Sequence, residues 1–309
     1  MDTIINLKDF LLMVKKERPT FFKNSFDRAY TAFTELSYDK SSPDFFYNNA
    51  SLVVETMRSQ CWNDFLIEEK TFTIEMMKRL ISSDSIKDFT PEEAIEWFIK
   101  NFDEHLYQLG LSNTQSRRSR AGKEFENIIE LILIGANLEL DSQGNVGKDY
   151  FMKRNLGKLV DIVCPGVVFY GINKRNTILI SAKTTLRERW QEVPEEMGRT
   201  GAQEMFLATL DDNISDEVLN TLYESNIQVT TTKSIKKTYY KDNPRVLTFE
   251  DLVSICKDAT KKWDGFDFSN EQLNNSILLI EQQVEKHSNH HYLVGKYQER
   301  LKRYLDALK

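Results

Sequence analysis

Residues 159–164 read LVDIVC and residues 177–183 read TILISAK. Both are short β-branched runs, set apart by Pro165-Gly166 and by Asn173-Lys174-Arg175-Asn176, and both predict strands. Each carries a single charged residue: Asp161 interrupts the first run and Lys183 ends the second. A buried charge is costly alone, so these two must meet each other, water or a metal ion. If the strands pair, a carboxylate and an ammonium arrive together at one end of a sheet. The plainest reading is a structural ion pair at a strand end; the more specific one is a reactive site.

Outward from this pair the pattern alternates. VVFY at 167–170 predicts a third strand. A helix starting near Pro194 follows, then a strand at 204–209, a helix at 216–224, strands at 227–231 and 245–249, a helix at 250–263, and two helices between 270 and 309. A hairpin followed by alternating helix and strand predicts an α/β fold with a mixed central sheet flanked by helices. Upstream, DFLLMVKKE, FDRAYTAFTEL, SLVVETMRSQCWNDFLIEEK, TIEMMKRLISS and PEEAIEWFIKNFDEHLYQLG each place apolar residues at three-and-four spacing. Thr90 ahead of Pro91-Glu92-Glu93 predicts a helix start, because Pro suits the first helical position and Glu at the third can close a capping box. A further helix is expected over 121–134, after the polar stretch SNTQSRRSR. The expected organisation is a mostly helical region over 1–110 and a core with C-terminal helices over 111–309. The only linker candidates lie near 111–117 and 264–270.

The chain has 309 residues, 40% hydrophobic and 28% charged, which excludes collagen-like, disordered and disulfide-scaffold classes. No apolar run is long enough to cross a membrane, and the N-terminus lacks the pattern of a signal peptide, so a cytoplasmic protein is expected. The three cysteines form no CxxC pair and encode neither a zinc site nor a disulfide framework. The net charge is −6, yet residues 115–189 hold 13 Lys or Arg against 8 Asp or Glu. A basic middle within an acidic chain suits a polyanion, although charged surfaces are common without one.

The segment following Lys183 adds Glu195 and Glu196 in PEEMGRTGAQ, while Glu126 and Glu130 lie on the helix ahead of the sheet. Several carboxylates beside a lysine make an oxygen-ligand site for Mg²⁺, a hard ion held by carboxylates, water and phosphate oxygens. Such a site can hydrolyse phosphodiesters.

The arrangement resembles the PD-(D/E)xK nuclease core, with Asp161 on one strand, Lys183 on the next and a glutamate on the helix in front. Val160 stands where that motif has its proline and Ser181 where it has its second acidic residue; Glu196, on the helix after Lys183, supplies the displaced carboxylate of the permuted form. SAKTTLRERWQEVPEE is similar to the segment shared by type II restriction endonucleases that read CC and GG dinucleotides. Within that group the chain resembles the SsoII-like enzymes over nearly its whole length. The resemblance implies Asp161, Lys183 and Glu196 as the catalytic set, with Glu126 a further metal-site carboxylate and Glu195 the neighbouring alternative to Glu196. It also implies Mg²⁺ as cofactor, a homodimer on double-stranded DNA, CCNGG as the site with cleavage before the first C to leave 5′ overhangs, and a companion cytosine methyltransferase; the alternatives are the same core with CCWGG or CCGG specificity, or a site-specific DNA-binding protein that keeps the fold without catalysis.

Side-chain chemistry suits this reading. In Arg187-Glu188-Arg189, arginine can donate two hydrogen bonds to guanine and glutamate can accept from cytosine, although exposed Arg-Glu pairs are common. The resemblance assigns this tripeptide to the CC/GG half-site and Gln115 to a supporting minor-groove contact. Arg58 and Trp62 share one face of a helix at i, i+4. Alone, Trp62 reads as core; the resemblance makes the pair a pocket for the extruded central base, where stacking tolerates any base. His287, His290 and His291 read as a solvated turn between the last two helices. No GxxxxGK[ST] phosphate loop is present.

Overall fold

The computed structural model describes residues 5–157, 160–241 and 243–309, and for Ser83, Ser85, Glu188, Arg189 and Glu196 the backbone alone. Four helices come first: α1 (Leu7–Phe21), α2 (Ser25–Glu35), α3 (Pro43–Lys78) and α4 (Pro91–Gly135). Then follow β1 (Asp141–Ser142), α5 (Gln143–Val146), α6 (Lys148–Lys153), β2 (Ile162–Cys164), α7 (Val167–Ile172), β3 (Ile178–Lys183), α8 (Glu192–Thr200), β4 (Met205–Thr209), α9 (Asp216–Glu224), β5 (Ile227–Thr231), α10 (Lys233–Tyr239), β6 (Val246–Thr248), α11 (Phe249–Lys261), α12 (Asn270–Lys286) and α13 (His291–Ala307).

Among the described residues six strands form one mixed sheet in chain order. β1, β2 and β3 pair antiparallel, with Ile162 opposite Ile180, and β3 through β6 run parallel, with Lys183 opposite Thr209. Parallel neighbours need crossovers, and α8, α9 and α10 supply them. β3 and β4 are buried almost throughout, as expected of parallel strands covered on both faces. Val163, Leu179, Met205, Leu207 and Val229 form the centre of their core.

Packing divides the chain into two units, residues 1–29 with 59–124 and residues 30–58 with 125–309. The position expected for a domain boundary, near 110, lies inside α4. In the smaller unit Phe10, Phe22, Phe65, Phe72 and Phe102 build the core. Buried Arg28 binds Glu68 at 2.6 Å and Glu124 at 3.0 Å there, so each of these charges is compensated.

The capping box at Thr90 is formed: its backbone N–H donates to Glu93 Oε2 at 2.8 Å and its Oγ1 accepts from Glu93 N at 3.3 Å. Other expectations are corrected. SNTQSRRSR is not a break but the middle of α4, because polar anchors replace the missing apolar stripe. Asn113 Nδ2 donates to Thr73 Oγ1 at 2.9 Å and Arg117 Nε to the Glu69 carboxylate at 2.9 Å. VVFY belongs to helix α7, not to a strand. β2 and β3 pair directly, and Asp141 Oδ2 accepts the Val167 N–H at 2.8 Å, starting a helix there. A Cβ on Gly166 would lie 2.7 Å from that oxygen, so the turn requires glycine. Tertiary packing overrides the β propensity of two valines. His287 is buried rather than solvated.

Candidate active site and nucleic-acid interface

The antiparallel pairing of β2 and β3 sets the site. Asp161, just ahead of β2, donates its backbone N–H to Ile180 O at 2.9 Å, and its Oδ2 accepts from Ala182 N at 2.7 Å and from Lys183 Nζ at 3.0 Å. Lys183 Nζ also donates to Ala182 O at 3.0 Å. The two side chains are only 6% and 14% exposed, so their attraction is little screened. The sequence-based juxtaposition of Asp161 and Lys183 is therefore present as a hydrogen-bonded pair. Among the described residues Asp161 Oδ1 accepts no hydrogen bond. A hard carboxylate oxygen at that position, on a side chain fixed through its other oxygen, fits a divalent cation.

The other carboxylates are on α4 and α8. Glu126 is half-buried on α4, one turn from Glu130. α5 connects this helix to Asp161. Asn145 Nδ2 donates to Glu130 Oε1 at 2.5 Å, while Gln143 N donates to Asp161 O at 2.8 Å and Gln143 Nε2 to Val160 O at 3.3 Å. Burial pushes the Glu130 carboxyl up to about 7, against hydrogen bonds from Ser142 and Asn145 and the Lys286 charge, and with help from the Glu126 charge. Glu196 lies in α8, with its side chain outside the described set; Glu195 is exposed and paired to Arg199. Among the described residues no three His, Cys, Asp or Glu side chains gather as a metal cluster, and Glu196 would be the third member of the expected set.

The same network explains His287. Asn145 uses its amide hydrogens on Glu130 and Tyr297, so its Oδ1 accepts from His287 Nε2 at 2.9 Å, and His287 Nδ1 faces His290 Nδ1 at 3.2 Å. Burial, then the neighbouring His290 and Lys286 charges, hold its pKa down to about 3. It is a neutral structural histidine.

The expected reading segment leaves β3 directly after Lys183. Arg187 is exposed and takes a left-handed backbone, φ 46°. It borders a cleft of about 490 Å³ with Thr185, Trp190, Asp211 and Asn213. The side chains of Glu188 and Arg189 are outside the described set. Asp211 is the residue that sequence reasoning missed: its Oδ2 accepts Leu186 N at 2.7 Å, its Oδ1 accepts Asn213 N at 3.1 Å, and its carbonyl accepts Tyr240 Oη at 2.5 Å. It pins the backbone between Lys183 and Arg187. An Asp two residues past a strand end, able to cap a loop, was the only available signal.

Arg58 and Trp62 both lie on α3, one turn apart, but packing assigns Arg58 to the larger unit and Trp62 to the smaller. Trp62 is 37% exposed, stacks on Phe65 with centroids 5.7 Å apart, and has the Arg117 guanidinium 5.9 Å from its ring. It is only partly a core residue and keeps surface on which a ring could stack. Gln115 is exposed on α4, at a second cleft in the smaller unit.

A lysine at the end of β3 and a carboxylate just ahead of its antiparallel neighbour, with glutamates on the helix before the sheet, form the arrangement expected of a nuclease of the restriction-endonuclease-like fold. Residues 76–253 match the family described as EcoRII C terminal. The type II restriction enzyme SsoII of Shigella sonnei is 49% identical over 301 residues, covering 96% of this chain and 98% of that protein. Metal-depleted Ecl18kI in complex with uncleaved DNA is 47% identical with a TM-score of 0.90, covering 96% of this chain and 100% of that one. A complex of restriction endonuclease PspGI with substrate DNA shares the fold, with a TM-score of 0.57 at 16% identity over 78% of this chain and 94% of that one. The chain belongs to the SsoII-like type II restriction endonucleases, site-specific deoxyribonucleases that bind double-stranded DNA. Enzymes of this type generally need a divalent metal. No described helix is long and apolar enough to cross a membrane.

Proposed function

We propose that this enzyme is a cytoplasmic homodimer that hydrolyses double-stranded DNA at CCNGG, on the 5′ side of the first C, using Mg²⁺ and extruding the central bases. The observation that carries the chemistry is Lys183 Nζ held 3.0 Å from Asp161 Oδ2 while Asp161 Oδ1 stays unbonded among the described residues. Asp161, Glu196 and Glu126 would hold the ion, which supplies polarisation of the phosphate and a lower pKa for water in the site. Lys183 keeps a positive charge where negative charge develops as a water oxygen attacks the phosphorus in line. Ala182 N and Lys183 hold the Asp161 side chain, so little rearrangement is needed at the moment of reaction.

Arg187, Glu188 and Arg189 read the G·C pairs from the major groove, and Gln115 touches the minor groove. Trp62 stacks the extruded base beside Arg58; taking out the central pair lets a twofold dimer built for adjacent half-sites close over five base pairs. A companion cytosine methyltransferase protects the same site in the host.

The test is digestion of plasmids carrying CCAGG, CCTGG, CCCGG or CCGGG beside one lacking CCNGG, with Mg²⁺ and with EDTA. Metal-dependent cuts at all four centres are expected. Cuts only at A and T centres overturn the specificity, and specific binding without any cut overturns the catalytic reading.

A further inference from the structure

We propose that the cleft lined by α1, the start of α2 and residues 112–120 of α4 is a binding site for a backbone phosphate of the DNA duplex, with Arg18 and Arg120 as its anion-holding residues. The cleft measures about 720 Å³ and lies wholly within the smaller unit.

Arg18 Nη2 donates to Ser112 Oγ at 3.0 Å and Asn113 Oδ1 at 2.8 Å, and its guanidinium lies 4.5 Å from the centroid of the Phe72 ring. Arg120 Nη1 donates to Lys23 O at 2.7 Å, its Nε to Ser116 Oγ at 3.3 Å, and its guanidinium lies 4.6 Å from the Phe22 centroid. Every one of these partners is neutral. The carboxylates nearby are committed elsewhere: Glu69 to Arg117, and Glu68 and Glu124 to Arg28. Arg18 Nη1 is itself buried and has no hydrogen-bond partner among the described residues.

Both guanidinium groups are half-buried and cannot shed their protons. Burial, then the Arg120 charge, work against the Arg18 cation, with the Glu69 charge opposing them; burial, then the Arg28 charge, work against Arg120, with the Glu124 and Glu68 charges opposing them, and in both the net effect is against the cation. Aromatic faces and hydroxyls hold both in place, so an arriving anion meets a site whose ordering cost is already met.

Three observations select a phosphodiester. Ser112, Ser116 and Ser119 lie at i, i+4 and i+7 on α4 and border the cleft, presenting the small polar groups that bind phosphate oxygens. The cleft opens to the surface, so a continuous polymer can pass along it. The protein belongs to a family whose members bind duplex DNA, and a relative does so without metal. The inference rests on DNA binding alone, not on the CCNGG reading.

The experiment measures equilibrium binding of the full chain to a CCNGG duplex and to a duplex lacking it, in EDTA, across a salt series. The Arg18→Gln/Arg120→Gln double variant should make the plot of log affinity against log salt shallower by about 0.9, the slope carried by one phosphate contact, and each single variant should make it shallower by a part of that. Affinity for the two duplexes should fall by the same factor, because phosphate contacts do not read sequence. Unchanged slope and affinity in stably folded variants overturn the proposal, as does a loss confined to the CCNGG duplex. Where a variant melts below the wild type, the wild-type protein decides: duplex DNA should protect the Arg18 and Arg120 peptides from phenylglyoxal in mass spectrometry, and absence of protection overturns the assignment. A failed CCNGG reading would instead appear as equal wild-type affinity for both duplexes, leaving the salt-slope comparison intact.

Discussion

Replacing Glu130 by Gln removes a carboxyl that binds its proton far more tightly in the folded protein than in the unfolded chain. Burial raises its pKa from 4.5 to about 7. A tenfold change in proton affinity corresponds to about 1.4 kcal/mol, so this rise amounts to about 3 kcal/mol between the two limits. Because the folded pKa is the higher one, the stabilisation is complete below the unfolded value near 4.5 and is lost as pH rises through 7. The glutamine keeps the acceptor that faces Asn145 Nδ2 and has nothing to titrate. Urea unfolding of both proteins at pH 5 and pH 8 is the assay. The wild-type stability minus that of the variant should be more favourable to wild type at pH 5 than at pH 8 by about 2 to 3 kcal/mol. His287, held neutral by burial, titrates the opposite way in both proteins and cancels from the difference. The same difference at both pH values would refute the reasoning, because it would mean that the carboxyl ionises in the folded state as it does in water.

Asp161→Ala and Lys183→Ala should each abolish cleavage and spare specific binding in EDTA; full cutting by either purified variant removes that residue from the catalytic set. Asp211→Ala leaves the buried Leu186 N–H without its acceptor and should lower stability by about 1 to 3 kcal/mol with a fall in kcat/KM, while Asp211→Asn, which keeps a carbonyl oxygen, restores most of both. An Asp211→Ala enzyme with wild-type kinetics would show that the loop after Lys183 is held by other means. Trp62→Ala should weaken binding by about 1 to 3 kcal/mol, the range for one base–aromatic stack, and should reduce the fluorescence change of 2-aminopurine at the central position. An unaltered signal would remove Trp62 from the pocket.

Most strands and helices downstream of residue 204 could be read in order from their periodicity, helix α9 coinciding with the expected span 216–224 and β5 with 227–231, whereas α10, seven residues long and rich in lysine, carries too short an apolar pattern to be expected. The pairing of Asp161 with Lys183 was also readable, since a charge placed inside an apolar strand admits few partners. Composition and periodicity could not show that SNTQSRRSR continues a helix, because its anchors, Thr73 and Glu69, lie about forty residues away in sequence and act only once the helices pack. VVFY was misread for a related reason: two valines favour a strand in isolation, and only the Asp141 oxygen waiting at Val167 N makes a helix there.

What the sequence determined by itself was the chemistry on offer: the α/β alternation, the carboxylate and lysine at adjacent strand ends, the basic middle of the chain and the Arg-Glu-Arg tripeptide after Lys183. These follow from local pattern and from the cost of burying charge, both of which are properties of residue types. The tertiary structure alone decided which charges are neutralised and which are not. Arg28 is paired with two carboxylates while Arg18 and Arg120 donate only to neutral groups, His287 is buried and neutral, and Asp211 reaches across from the end of β4 to fix the segment after Lys183. Such facts depend on distances between segments far apart in the chain, and coulombic and hydrogen-bond energies are set by those distances rather than by sequence spacing.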